Sequence, residues 1–126
     1  MVLLDSNVFL WAATGERISP SARAVLGDLS KDRFVSSVTP WELGIKFLQR
    51  KLTLPSDFLQ FVGAAMLDRQ ITELPVSIAH ALRCAELPLI HGDPFDRMLV
   101  AQALVEGLPI VSSNRRLSAY GVAVIW

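Results

Sequence analysis

Residues 2–5 read V-L-L-D, three large apolar side chains in a row and then an acid. A strand with one wet face alternates apolar and polar residues. An unbroken apolar run belongs instead to a strand covered on both faces, as in a parallel sheet. That one run restricts the chain to architectures with helices on each side of a sheet. Strand-length runs recur at Phe34–Ser37, Ile71–Leu74, Pro109–Ser112 and Val122–Ile125, with longer helical patterns between them.

The helix starts are marked by capping residues and prolines. Ser6 and Asn7 can cap a first helix, and Ser19-Pro20 opens a second running toward Leu29. Thr39-Pro40 opens a third to about Arg50, and Pro55 a fourth to about Arg69. Ser77 caps a fifth to about Leu87, and Asp93-Pro94 opens a sixth that Gly107 and Pro109 stop after Glu106. Strands alternating with helices predict an α/β fold: a three-layer α/β/α sandwich around a central, mainly parallel sheet of four to five strands. Ligands of such sheets sit beyond the carboxyl ends of the strands. A chain of 126 residues buries roughly 65–70% of its unfolded surface, enough for a real core. No linker, repeat or charge block divides it, so residues 1–126 are expected to form one domain.

Twelve basic and twelve acidic residues give a formal net charge of zero. A strongly basic nucleic-acid binder is not indicated, so a polyanion would be held by a local patch or by metal ions. The single cysteine, Cys84, rules out an intrachain disulfide framework and fits a reducing compartment. The N-terminus has no basic signal region, and no uncharged apolar stretch reaches membrane-spanning length. A cytoplasmic protein is expected. The apolar content of 52% leaves room for a self-association surface, and a homodimer is the expectation.

Four acids stand where chemistry could use them. Asp5 ends the first strand, at the carboxyl edge of the sheet, where it can also cap the next helix. In T-P-W-E, Thr39 as N-cap and Glu42 at the third helical position form a capping box, and Lys46 lies one turn beyond Glu42. In D-P-F-D, Asp93 is the cap and Asp96 the third helical residue. Asp96 shares a helix face with Leu99, Val100 and Ala103, all apolar. A carboxylate over an inward face is costly unless a cation meets it, and Arg97 points elsewhere on the helix. Carboxylates gathered at one sheet edge would repel each other, and Mg²⁺ or Mn²⁺, which favour hard oxygen ligands, would relieve that repulsion.

The segment V-S-S-N-R-R-L at 111–117 leaves the fourth strand at the same edge. Ser112, Asn114 and Arg115, with Lys46 from the third helix, are candidates for positioning a phosphate. His80, in a helix, and His91, in a loop, lack zinc-site spacing and read as structural or surface residues. Cys84 reads as inert, and Trp11, Trp41 and Trp126 as packing residues. Dinucleotide-binding and P-loop glycine patterns are absent, as is a nucleophile elbow.

Taken in order, L-L-D-S-N-V-F-L-W-A, V-S-S-V-T-P-W-E-L-G-I-K, H-G-D-P-F-D-R-M-L-V-A-Q-A-L and I-V-S-S-N-R-R-L resemble PIN-domain proteins. Within that family they most resemble the VapC-type toxins of bacterial toxin–antitoxin pairs. The resemblance covers nearly the whole chain, including its ending Y-G-V-A-V-I-W, and D-P-F-D-R-x-L-x-A-Q-A is its most specific block. It implies a Mg²⁺- or Mn²⁺-dependent endoribonuclease whose products carry a 5′-phosphate and a 3′-hydroxyl. It also implies a cognate VapB-type antitoxin as partner, able to place an arginine among the carboxylates, and no DNA contact by this chain itself. Carried over by motif position, Asp5, Glu42 and Asp96 are the catalytic, metal-holding acids, with Asp93 beside them. Ser112 matches the family's usual hydroxyl residue. Asn114 departs from the family pattern, standing where a further aspartate is common and bringing an amide oxygen without charge. Two rival functions have distinct signatures: a Mg²⁺-dependent small-molecule phosphatase, whose D-x-D would replace Asp5-Ser6-Asn7, and a PIN-like binding module whose metal site Asn114 weakens.

Overall fold

The computed structural model describes residues 1–126. Five parallel strands form one sheet: β1 (Val2–Leu4), β2 (Arg33–Ser36), β3 (Ile71–Leu74), β4 (Ile110–Val111) and β5 (Val124–Ile125). Their order is β3-β2-β1-β4-β5, so β1 is central. Six helices connect them: α1 (Ser6–Thr14), α2 (Pro20–Gly27), α3 (Val38–Leu48), α4 (Phe58–Asp68), α5 (Ile78–Glu86) and α6 (Pro94–Glu106). A 3₁₀ helix, Arg115–Tyr120, follows β4.

The unbroken apolar run of β1 has the two-sided burial its sequence demands. Val2 and Leu4 face one core with Val35, Val111 and Phe9, against α1 to α4. Leu3 faces the other with Ile110, Leu99 and Val100, against α6 and the 3₁₀ helix. The expected three-layer sandwich is therefore the observed one. From β1 the chain winds outward to β2 and β3, then returns through α6 to β4 on β1's other flank. The winding direction reverses at β1, and sheets of this kind hold ligands beyond the carboxyl end of the strand at which it reverses.

Two helix starts differ from the sequence expectation. The capping box of Thr39 and Glu42 does not form. α3 begins at Val38, because β2 passes straight into it and the Ser36 hydroxyl accepts from the Val38 N–H at 3.2 Å. Ser37, the preceding residue, is held to the end of β3 instead: its N–H donates to the Leu74 carbonyl, and its hydroxyl accepts from the Val76 N–H. Pro40 fits inside this first turn, where backbone N–H groups have no intrahelical acceptor to lose. Thr39 is buried in the helix with its hydroxyl unpartnered, and Glu42 lies a half-turn deeper than a capping residue would. The fourth helix starts at Phe58 rather than Pro55, since Asp57 caps it by accepting from the Gln60 N–H at 2.9 Å. Ser19, Ser77 and Asp93 cap their helices as the sequence indicates, each accepting from the first turn, while α1 is capped by Asp5, with Ser6 and Asn7 inside the helix rather than capping it.

Candidate functional site

Asp5 lies at the carboxyl end of the central strand and is only 6% exposed. It caps α1, its Oδ1 accepting from the Val8 N–H at 2.7 Å. Burial pushes its carboxyl up to about 6 from an ordinary 3.8. The Ser112 hydroxyl and the Val8 N–H oppose that rise, while the negative charges of Asp96 and Glu42 add to it. The three acids named from the sequence thus share one electrostatic neighbourhood, with Ser112 at its floor.

Glu42 reaches this place from the inner face of α3 and is 7% exposed. Lys46, one turn on, stands 3.4 Å from its Oε2. Lys46 is partly exposed, so the pair contributes only a few tenths of a kcal/mol, about 0.2–0.5. Asp96 arrives from the first turn of α6 above Leu99, Val100 and Ala103, all buried as its face predicts. Arg97 does point away, donating to the carbonyls of Pro88, Cys84 and Leu87.

The partner that Asp96 does have was not legible in the sequence. His91 Nε2 lies 2.8 Å from Asp96 Oδ2. The loop carrying His91 is fixed by the Tyr120 hydroxyl, which accepts from the His91 N–H at 2.8 Å. Tyr120 in turn accepts from Arg97 at 3.3 Å. The only local signal was the H-G-D-P-F-D spelling, and nothing in its spacing shows that the loop folds back. His80, by contrast, is the structural residue expected: buried, closing the α5 capping box and meeting Glu106 at 2.8 Å.

Asp93 caps α6, accepting from the N–H groups of Phe95 at 2.8 Å and Asp96 at 3.4 Å. Those amides, like that of Val8, are engaged by the caps and are not free donors for a ligand. Asp93→Ala is expected to cost about 1 kcal/mol in denaturant melts, with Asp93→Ser close to wild type. An unchanged midpoint in the alanine variant would show that the cap is not needed. The aromatics of the two proline turns also meet: Trp41 and Phe95 lie edge to face, with centroids 5.1 Å apart and planes at 75°. Trp41 packs there as expected but stays 64% exposed.

Asn114 starts the 3₁₀ helix, its side-chain oxygen accepting from the Arg116 N–H at 3.2 Å and its own N–H donating to the Ser112 hydroxyl at 3.0 Å. Arg115 and Arg116 are exposed.

Residues 2–123 match the PIN domain family. The chain belongs to that family. The PIN domain is also similar to a curated protein, Ribonuclease VapC22 of Mycobacterium tuberculosis, with 27% identity over 94% of this chain and 91% of that one. Among solved structures it resembles VapBC2 from Rickettsia felis bound to a promoter DNA fragment. That likeness has a TM-score of 0.74 at 18% identity, covering 98% of this chain and 97% of that one. It also resembles FitAcB from Neisseria gonorrhoeae, with a TM-score of 0.67 at 21% identity, covering 98% and 96%. A toxin–antitoxin complex from Klebsiella pneumoniae gives a TM-score of 0.68 at 16% identity, covering 100% and 97%. At these identities the solved structures speak for the fold, and they agree with the parallel five-stranded sheet. No helix of the PIN domain is long and apolar enough to cross a membrane.

The donor set suits a hard cation. No three of the chain's His, Cys, Asp and Glu side chains form a ready-made metal cage. Mg²⁺ rarely asks for one, since it keeps several waters and is commonly held by one or two carboxylates. A buried Asp5 beside two further acids is a place where a divalent cation offsets both burial and repulsion.

Proposed function

We propose that this PIN domain is a Mg²⁺- or Mn²⁺-dependent endoribonuclease, the toxin of a toxin–antitoxin pair. The observation that carries the reading is the convergence of Asp5, Glu42 and Asp96 where the sheet reverses its winding, with the Asp5 carboxyl pushed up by burial and by the other two charges. Asp5 and Asp96 would hold the ion, with Glu42 and Asp93 directly or through water. When bound, such an ion supplies an acidified water as nucleophile and positive charge against the phosphoryl oxygens.

The chain's own residues do the positioning. His91 holds one oxygen of Asp96, and the Val8 N–H holds Asp5, so both acids are aimed before an ion or substrate arrives. Lys46 stands beside Glu42, at the mouth, and can meet a phosphate there. Of the residues leaving β4, Ser112 is fully buried and Asn114 spends its side-chain oxygen on the Arg116 N–H, so Arg115, which is exposed, is the one placed to meet the RNA backbone. The reading is supported by membership of the PIN family and by likeness to a protein named as a ribonuclease. Incubation with structured RNAs and Mn²⁺, followed by mapping of the new ends, tests it. The expected products carry a 5′-phosphate and a 3′-hydroxyl. Equal cleavage by wild type and Asp5→Ala would remove Asp5 from the site.

The partner is proposed to be a VapB-type antitoxin, supported by the toxin–antitoxin complexes among the structural neighbours. Apolar side chains stand well exposed on α3 and α4 (Leu48, Leu59, Leu67) and on α5 (Ile78, Leu82). Such area suits an antitoxin helix and a second copy of the chain, and sedimentation of the pair tests both. The place of action is the cytoplasm, with DNA contacts left to the antitoxin. A second reading, a binding module without catalysis, is favoured by Asn114 spending its side chain on a helix cap. Failure of the partner-free protein to bind Mn²⁺ by calorimetry would decide for it.

A further inference from the structure

The acid cluster is bordered by the loop around residues 88–93 and by the 3₁₀ helix. Between these two lies a cleft of about 260 Å³, lined by Ile90, His91, Arg116, Ser118 and Ala119. His91 belongs to both places. Its Nε2 meets Asp96 Oδ2 at 2.8 Å, and His91 with Ile90 also lines the cleft. The cleft therefore begins one imidazole away from Asp96.

Its walls are set in advance. The His91 N–H donates to the Tyr120 hydroxyl, at the far end of the 3₁₀ helix, so the two walls are tied together. Arg97 ties the same loop to α6 by donating to Pro88 and to Tyr120. The start of the 3₁₀ helix is fixed by the Asn114 cap on the Arg116 N–H. Ser118, which lines the cleft, donates to the Arg115 carbonyl at 2.8 Å, which leaves its hydroxyl oxygen able to accept.

The chemistry of these walls is specific. Arg116 is exposed and makes no ion pair, and no carboxylate lines the cleft. A flat imidazole and two apolar side chains, Ile90 and the small Ala119, share the cleft with a guanidinium that has no ion-pair partner. Flat side chains take a nucleobase on their faces, and a guanidinium takes a phosphate. The space is a little below the roughly 300 Å³ at which sites for drug-sized molecules begin, which suits one nucleotide unit.

We propose that this cleft is a nucleotide subsite, holding the RNA nucleotide next to the scissile phosphate, with Arg116 on its phosphate and its base against His91. The assignment rests on the ribonuclease reading and adds to it a second point of grip outside the acid cluster.

The test compares wild type, Arg116→Ala and Arg116→Lys, with Arg23→Ala on α2 as a control for the loss of one positive charge. Cleavage of a short random-sequence single-stranded RNA pool gives kcat and KM. Anisotropy of the same pool on an Asp5→Asn background gives binding without turnover. Arg116→Ala is expected to raise KM about tenfold, as for one lost charged hydrogen bond, and to leave kcat within about twofold. The slope of log affinity against log salt should fall by about 0.7, the share of one phosphate on a single strand. Arg116→Lys should recover most of the loss, and Arg23→Ala should match wild type. If Arg116→Ala behaves like wild type, or Arg23→Ala loses as much, the subsite is wrong while the ribonuclease reading stands. If wild type cleaves no RNA, the ribonuclease reading fails and the subsite falls with it.

Discussion

Replacing Asp96 by asparagine is expected to lower kcat for RNA cleavage on the order of a thousandfold. A divalent ion's charge at a phosphoryl centre stabilises the transition state by several kcal/mol, and each 1.36 kcal/mol is a factor of ten. Asparagine keeps the size of Asp96 and an oxygen for a hydrogen bond, but not the charge. The fold should survive, because the cap of α6 belongs to Asp93 and the buried face below to Leu99, Val100 and Ala103. Single-turnover cleavage in Mn²⁺, with thermal melts of the same preparations, separates the two effects. A variant that melts like wild type and still cleaves within tenfold of it would remove Asp96 from the chemistry.

The second large effect is one of stability. With divalent ions removed by chelator, the protein is expected to lose about 3 kcal/mol of stability as pH rises from 4 to 7. The folded state holds the Asp5 proton up to about 6, whereas an unfolded chain releases it near 3.8. Between those values the unfolded state binds fewer protons, so stability falls with rising pH. The stabilisation is complete below 3.8 and lost as pH passes 6. At 1.36 kcal/mol per unit, the gap corresponds to about 3 kcal/mol. Asp5→Asn cannot ionise and keeps an oxygen for the Val8 N–H. At pH 7 without metal it should therefore be more stable than wild type by a comparable amount. Mn²⁺ should reverse the order, since it stabilises only the chain that binds it. Denaturant melts across this pH range, with and without chelator, measure both. A wild-type pH slope retained in Asp5→Asn would assign the dependence to another group.

The fold was legible because its signals are local. The run V-L-L-D required two covered faces, and serines, aspartates and prolines marked four of the helix starts correctly. The starts of α3 and α4 depart from the sequence signals for different reasons. At α3 a proline preceded by a threonine looks like a cap, but Ser37 is held by Leu74 of β3 and by Val76 just beyond it, so the helix begins before Thr39. At α4 Asp57, two residues past Pro55, makes the cap. Asp5 stood out by its strand end and Asp96 by its helix face, whereas Glu42 read as a capping residue and entered the candidate site through the family resemblance. His91 was not legible, because its approach to Asp96 depends on Tyr120, 29 residues away, and no spacing rule carries that information. Arg116 was legible as a positive charge leaving β4, but its place across a cleft from that loop was not.

The contact between Trp41 and Phe95 has a mechanical consequence. Each ring sits one residue before an acid, Glu42 or Asp96, on helices that approach from different parts of the chain. The pair joins the two helices directly beside the positions of these carboxylates, so it braces α3 against α6 where their mutual repulsion acts. Shortening either ring would let the jaws of the site relax, although neither ring touches the reaction.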